Sequence, residues 1–157
     1  LSLDRFIKFH PGNKDIAYAY YLKALCYYEQ ITGVEKDQEN TRLALQALRQ
    51  VITRFPNTEY AKDASLKLEL TYDHLAGKEM EVGRYYLNQE NYLSALNRFS
   101  VVVNDYQMTS HIEEALYRQV EIYTILGLNK EAGQAFRVLE YNYPKSKWTV
   151  DARKVLK

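Results

Sequence analysis

The sequence predicts an all-α fold in which helix pairs stack into a right-handed solenoid of about seven helices, one of them unusually long. The main evidence is a stripe of apolar residues at the i, i+3, i+4, i+7 spacing of one helix face. This stripe occurs twice, 37 residues apart: Ala95, Phe99, Val102 and Tyr106, then Ala132, Phe136, Leu139 and Tyr143. Self-similarity at a fixed period is typical of a helical repeat array.

Small and large side chains occupy matching places in the two copies. Antiparallel helices approach to about 8–10 Å only where the crossing residues are short, and a ring four residues later fills the space beyond. Both copies fit the tetratricopeptide (TPR) pattern. The first supplies Val82, Gly83, Tyr86, Ala95 and Phe99, and the second supplies Leu116, Val120, Tyr123, Ala132, Phe136 and Pro144. Gln107 replaces a proline and Val120 replaces a glycine, so the chain is TPR-like with two departures.

Three junctions between helices share one register. They are Phe55-Pro56-Asn57-Thr58, Tyr106-Gln107-Met108-Thr109 and Tyr143-Pro144-Lys145-Ser146. Each begins with an aromatic residue and has a hydroxyl residue three positions later, which can cap the following helix. Ser110 and Glu113 could add a capping box at the middle junction.

The N-terminal part contains the end of one repeat and a complete second repeat. Residues 1–10 resemble the tail of a preceding second helix, stopped by Pro11-Gly12, so we expect further repeats upstream of this fragment. Residues 14–56 form the next repeat. Its first helix runs from Ile16 to Thr32 and Gly33 can end it. A polar loop over Glu35 to Asn40 then leads to a helix with an apolar face from Ala44 to Phe55.

The long helix is predicted from the spacing of the junctions. Phe55 and Tyr106 are 51 residues apart, whereas Tyr106 and Tyr143 are 37 apart, so the repeat at 59–106 has 14 surplus residues. These extend its first helix, over Glu59 to Gln89, to roughly 45 Å. A break near Gly77 is the alternative. Residues 109–144 form the last repeat, and 147–157 begin a helix that caps the array.

Composition excludes several classes of function. The 21 Lys and Arg residues balance 20 Asp and Glu residues, so no overall field favours nucleic acid or an anionic membrane. No apolar run approaches the roughly 20 residues that cross a bilayer. The single cysteine, Cys26, lies in a helical segment and is expected to be an inert, buried thiol.

The sequence lacks the usual marks of catalysis. It has no glycine-rich phosphate loop, HExxH, CxxC or G-x-S-x-G motif. The three histidines are widely spaced, and His111 with Glu114 would supply only two metal ligands. We therefore expect no enzyme activity, no cofactor and no metal.

The chain has fifteen tyrosines, and one segment holds more of them than a single buried helix face requires: Tyr18, Tyr20, Tyr21, Tyr27 and Tyr28. Tyrosine offers a large contact area at low entropic cost, which suits binding surfaces. Tyr18, Tyr21 and Tyr28 are therefore candidates for a peptide-binding groove. Packing between neighbouring repeats is the alternative for most of these rings.

Four stretches resemble the BamD family, TPR lipoproteins of the β-barrel assembly machinery (BAM complex). They are Asp4-Arg5-Phe6-Ile7-Lys8, Ile16-Ala17-Tyr18, Phe55 to Tyr60 with Asp63-Ala64, and Ala95-Leu96-Asn97-Arg98. The resemblance implies a protein at the periplasmic face of the outer membrane of a Gram-negative bacterium, held by lipid on an N-terminal cysteine. Cys26 lies in a helical segment and does not correspond to that cysteine, so we expect the lipid anchor to lie outside this chain.

The resemblance also implies the partners. They are the barrel subunit BamA, through its POTRA region, the other BAM lipoproteins and unfolded outer-membrane proteins. The family's docking arginine matches Arg98, which precedes Phe99 and so points away from the buried stripe, free to meet a partner's carboxylate. Asn97 and Tyr92 are the further candidate contacts. A different TPR adaptor of the cell envelope and the regulatory array of a larger enzyme are the alternatives, since TPR arrays serve many functions.

Overall fold

The computed structural model describes residues 2–32 and 38–157, and in them it shows eight helices and no strand. The helices are α1 Ser2–Phe9, α2 Ile16–Thr32, α3 Gln38–Arg54, α4 Glu59–Asn88, α5 Tyr92–Asp105, α6 Ile112–Ile125, α7 Asn129–Asn142 and α8 Lys147–Val155. The predicted all-α, TPR-like fold is confirmed. The chain divides into two compact units, Leu1–Thr71 and Tyr72–Lys157.

The first unit is built on small residues that let its helices approach closely. Its core consists of Ala24, Ala47, Leu48, Val51 and Ala64, from α2, α3 and the start of α4. Partly buried tyrosines surround this core. Helix α1 packs on α2, and Lys23 binds Asp4 at 2.6 Å between them.

Two predictions in the first unit are wrong. The polar run predicted as a loop is helical from Gln38 onward, because Glu39 suits a helix N-terminus and also accepts a 2.9 Å hydrogen bond from Arg42 Nε. The rest of that loop, with Gly33, lies outside the described residues. Cys26 is exposed. It follows the buried Ala24 by two positions, and about 100° per residue turns it to the opposite side of α2.

The long helix is confirmed. Helix α4 runs unbroken for 30 residues from Glu59 to Asn88, about 45 Å at 1.5 Å per residue. Gly77 lies inside it without a break. The helix contains no proline, so nothing interrupts its hydrogen-bond ladder.

The second unit contains two apolar clusters. The first joins α4, α5 and α6 and consists of Ala76, Met80, Ala95, Phe99, Val102, Ala115 and Ile122. The second joins α6, α7 and α8 and consists of Ile112, Leu116, Val120, Ala135, Leu139 and Ala152. The stripe residues Ala95, Phe99 and Val102 of α5 are buried, with Phe99 fully enclosed, and Tyr106 is partly buried against the same cluster.

The 37-residue period recurs in the backbone of the second unit. Asn91 N–H donates to the Tyr86 carbonyl at 2.9 Å, and Leu128 N–H donates to the Tyr123 carbonyl at 2.8 Å. In both turns the residue directly before the N–H donor is left-handed: Glu90 has φ +57° and Gly127 has φ +72°. The two turns therefore share one conformation.

We expect Glu90→Gly to raise the free energy of unfolding by roughly 0.5–1 kcal/mol. A left-handed conformation costs a residue with a Cβ about 1–2 kcal/mol, and the greater freedom of unfolded glycine offsets part of the gain. The matched control is Gly127→Glu, which should lower stability by a similar amount. Denaturant melts check both, and equal signs for the two variants would contradict a shared turn.

The three junctions share one backbone hydrogen bond: Thr58 N–H donates to the Phe55 carbonyl at 3.2 Å, Thr109 N–H to the Tyr106 carbonyl at 3.1 Å and Ser146 N–H to the Tyr143 carbonyl at 3.1 Å. The hydroxyls of Thr58 and Thr109 each donate to the carbonyl of the preceding aromatic residue at 2.7 Å. Ser146 caps α8 by accepting from Trp148 N–H at 3.2 Å. The capping box is wrong, because the Ser110 hydroxyl donates instead to Asp73 Oδ1 at 2.6 Å.

Helix α8 closes the second cluster. The Trp148 ring lies 5.2 Å from that of Tyr117, and the buried Thr149 hydroxyl donates to the Tyr143 carbonyl at 2.7 Å.

Within residues 2–32 and 38–157, no helix has the length and apolarity needed to cross a bilayer. The same residues contain no cluster of three or more metal-ligating side chains.

Candidate partner-binding site

The crossing of α4 and α5 positions Arg98 at the surface. Phe99 is fully buried against α4, and the preceding position on a helix is turned away by about 100°. The Arg98 side chain is accordingly 44% exposed. This orientation is the one that the apolar stripe predicts.

Arg98 is not free, contrary to the expectation from sequence. Its Nη1 donates to Glu79 Oε2 of α4 at 3.1 Å. Glu79 lies nine residues before the end of α4 and Arg98 lies six residues after the start of α5, and the antiparallel helices bring the two side chains together. A guanidinium carries several N–H donors in a fixed fork, and Glu79 takes one end of it. The remaining N–H groups of Arg98 can therefore donate to a second carboxylate while Glu79 holds the guanidinium in place.

A shallow cavity of about 270 Å³ lies beside this ion pair. It is lined by Tyr86, Ser94, Asn97, Arg98 and Val101. The Tyr85 ring, 62% exposed, stands edge-on to Tyr86 with 5.7 Å between ring centroids. The surface thus combines a cation, an amide, a hydroxyl and exposed aromatic area, which suits a protein partner.

The structure brings together two of the three predicted contact residues. Asn97 and Arg98 line the cavity. Tyr92 packs against the first cluster of the second unit and is not among the residues that line the cavity.

Sequence reasoning missed Glu79, Tyr86, Ser94 and Val101. A signal for Glu79 existed, because Glu79 and Arg98 are 19 residues apart around a short turn. Opposite charges a few turns away on either side of such a turn can meet when the two helices pack antiparallel. Tyr86, Ser94 and Val101 carry no comparable signal.

The candidate groove tyrosines contact the start of α4. Tyr18 and Tyr21 lie 5.5 and 5.2 Å from the Tyr60 ring centroid. The Tyr21 hydroxyl donates to Asp63 Oδ2 at 2.6 Å, and Lys67 Nζ lies 5.6 Å above the Tyr28 ring. These contacts are packing within the first unit. The groove remains a prediction, with Tyr18, 44% exposed, as its most accessible ring.

The Tyr21 hydroxyl gives the first unit a dependence on alkaline pH. Burial, reinforced by the hydrogen bond to the Asp63 carboxylate, raises the pKa of Tyr21 from 10.0 to about 12. Because the folded chain holds this proton more tightly, the contribution is complete below about pH 10 and is lost as pH rises toward about 12.

We expect Tyr21→Phe to reduce the fall in unfolding free energy over that pH range, because the variant has no hydroxyl to ionise. Urea melts of the variant and the unmodified chain, compared pH by pH, measure the difference. Tyr141→Phe removes a tyrosine hydroxyl from a side chain that is 88% exposed, so it is the control. A Tyr21→Phe profile parallel to that of the unmodified chain would refute the linkage.

The chain matches the family model YfiO, described as outer membrane lipoprotein, over residues 1–139. A Rickettsia prowazekii protein named outer membrane protein assembly factor BamD is 55% identical over 155 residues, covering 99% of this chain and 62% of the relative. A Caulobacter vibrioides BamD is 53% identical, covering 98% of this chain and 50% of the relative. A BamD of Neisseria meningitidis serogroup A is 34% identical, with coverage of 96% and 60%. The chain thus spans between half and two thirds of the length of these relatives.

Proposed function

The chain belongs to the YfiO family of outer membrane lipoproteins, and from this membership we propose that it is a protein–protein interaction scaffold in outer-membrane assembly. It would act in the assembly and insertion of β-barrel proteins at the periplasmic face of the outer membrane. The observation that carries this is the 55% identity, over 99% of the chain, to a protein named as an outer membrane protein assembly factor. That name describes an assembly factor, and we propose no enzyme activity for the chain.

The finer proposal is that the Arg98 cavity docks on the POTRA region of the barrel subunit BamA. Three features support it: the exposed guanidinium, the carboxylate of Glu79 that fixes its position, and the aromatic wall of Tyr86. An arginine fork held at one end binds a partner's carboxylate with little further loss of side-chain entropy. The other BAM lipoproteins and unfolded outer-membrane proteins are further proposed partners, through surfaces elsewhere on the chain.

Calorimetric titration with the membrane-proximal POTRA domain of the same organism's barrel subunit tests the docking. We expect Arg98→Glu to weaken binding by about tenfold or more, because it places a carboxylate against the partner's carboxylate and beside Glu79. Circular dichroism and denaturant melts should show an intact fold, since both side chains of the ion pair reach solvent.

Two variants sharpen the test. Arg137→Glu makes the same charge change at an exposed position on α7, so it should leave affinity within about twofold if the contact is specific. Glu79→Gln keeps Arg98 and removes its internal acceptor, so binding should be retained. Equal losses of affinity in Arg98→Glu and Arg137→Glu would show that the effect is due to net charge and not to a specific contact. Unchanged affinity in Arg98→Glu would refute the docking site.

A further inference from the structure

A basic groove of about 520 Å³ lies along α3 in the first unit. Its described lining comes entirely from α3 and consists of three arginines, two glutamines, one threonine and one leucine. The arginines are Arg42, Arg49 and Arg54, and all three are exposed. None of these lining residues is Asp or Glu, although the sequence has 20 of them against 21 Lys and Arg. The overall balance of charge therefore conceals a local excess of positive charge.

The helical register explains why this charge collects on one side of α3. Arg42 and Arg49 are seven residues apart, so they lie within about 20° of each other around the helix axis. At 100° per residue this side is opposite to the buried Leu48 and Val51. From Arg42 to Arg54 the helix rises about 18 Å. The basic groove thus presents a row of guanidinium groups and not a single point of charge.

Two of the guanidinium groups are already held by neighbouring side chains. Arg42 donates from Nε and Nη2 to the two carboxylate oxygens of Glu39. The Arg54 guanidinium lies 5.2 Å from the centroid of the Tyr20 ring. Glu39 offsets part of the charge of Arg42, but a guanidinium carries several N–H donors in a fixed fork. Both groups therefore keep donors for an external anion and lose little further side-chain freedom when they bind it.

The shape and composition of the basic groove favour a phospholipid surface over other anions. Residues of one helix cannot enclose a small anion, whereas a row of about 18 Å can contact several headgroup phosphates together. A protein partner usually needs an apolar or aromatic centre, and Leu45 is the one apolar side chain among the described lining residues. An anionic leaflet, by contrast, attracts each basic residue that comes near it.

We propose that the basic groove docks on an anionic phospholipid surface, with Arg42, Arg49 and Arg54 donating to headgroup phosphates and α3 lying parallel to the membrane plane. The proposal rests on the proposed location at the outer membrane only for the supply of that surface. The groove belongs to the first unit and Arg98 to the second. Lipid binding and POTRA docking are measured separately, so either can fail alone.

Cosedimentation of the whole chain with phospholipid vesicles tests the proposal. The vesicles contain phosphatidylcholine alone, or phosphatidylcholine and phosphatidylglycerol in equal amounts. We expect binding to the anionic vesicles only, and we expect added salt to weaken it by screening the charges. Replacing Arg42, Arg49 and Arg54 together by Gln should weaken binding by about tenfold to a hundredfold, because each basic residue near such a surface contributes up to about fivefold.

Two further triple variants are the controls. Lysine at the same three positions keeps the charge, so binding should stay within about threefold of the unmodified chain. This variant also tests the proposal if the glutamine variant folds poorly. Replacing Lys130, Arg137 and Lys145 by Gln makes the same change in net charge at exposed positions in the second unit. It should leave vesicle binding within about twofold.

Three outcomes would overturn the proposal. The first is no binding of the unmodified chain to anionic vesicles at low salt, including the case in which an oligo-glutamate peptide binds instead and assigns the groove to an acidic protein segment. The second is an equal loss of binding in the two glutamine variants, which would attribute the effect to net charge. The third is complete release from the vesicles by inorganic phosphate at constant ionic strength, which would indicate a site for a free anion.

Discussion

Phe99→Ala is expected to lower the free energy of unfolding by about 3–5 kcal/mol. The Phe99 side chain is fully enclosed and packs in one cluster with Met80, Val102 and Ile122 from three helices. Truncation loses the burial of the ring and leaves a cavity that rigid helices cannot fill. Denaturant melts with the slope m monitored measure the loss.

Phe136→Ala is the matched control for this prediction. Phe136 occupies the same place in the repeat, 37 residues later, yet it is only partly buried against its cluster. Its truncation should therefore cost less than that of Phe99. A loss below about 1 kcal/mol for Phe99→Ala, or a larger loss for Phe136→Ala, would contradict the burial that the structure assigns to the two rings.

Gly83→Ala is expected to destabilise the protein by up to about 2 kcal/mol, although alanine is the better helix former. A Cβ at Gly83 would lie 2.6 Å from Phe99 Cε1 and 2.9 Å from Cζ. The ring is enclosed and cannot turn away, so overpacking costs about 1–3 kcal/mol. The gain in helix propensity, about 1 kcal/mol, offsets only part of this. Denaturant melts again provide the measurement.

Gly133→Ala isolates the steric term in that prediction. Gly133 also lies inside a helix, but a Cβ there would meet nothing within 4 Å. The same substitution should therefore stabilise the protein by about 1 kcal/mol. In a Phe99→Leu background Gly83→Ala should become stabilising by up to about 1 kcal/mol, since the ring that opposes the helix-propensity gain is gone. Equal effects of Gly83→Ala in both backgrounds would show that the two positions do not interact.

Local patterns predicted most of the fold because they depend on neighbours in the chain. The stripe through Ala95 and Phe99 reports which helix face is buried, and the spacing of Phe55, Tyr106 and Tyr143 required a long helix. The exposure of Cys26 and the hydrogen bond of Ser110 were not predicted, for a common reason. The outward turn of Cys26 follows from the register of α2 on its neighbours, and Ser110 finds Asp73, 37 residues away. Neither the register of α2 nor the position of Asp73 can be read from the residues next to Cys26 and Ser110.

The sequence predicted that Arg98 is exposed at the candidate site, but it did not predict which residues surround Arg98. The exposure of Arg98 follows from its place beside Phe99. Its pairing with Glu79 depends on how two helices pack on either side of a turn. The apolar stripe describes one helix at a time, so it does not predict this pairing. The cavity between α5, α6 and α7 was not predicted, because it arises where three helices meet.

The common conformation of the turns at Glu90 and Gly127 makes the second unit extensible. Backbone hydrogen bonds recur in step on both sides of each turn, so cuts before Asn91 and before Leu128 fall at equivalent points of the chain path. Duplicating residues 91–127 would add a helix of the α5 type and one of the α6 type while reusing a connection that the chain already makes. Helix pairs could thus be inserted between residues 90 and 91 or between residues 127 and 128, which would add a new binding surface without the redesign of a turn.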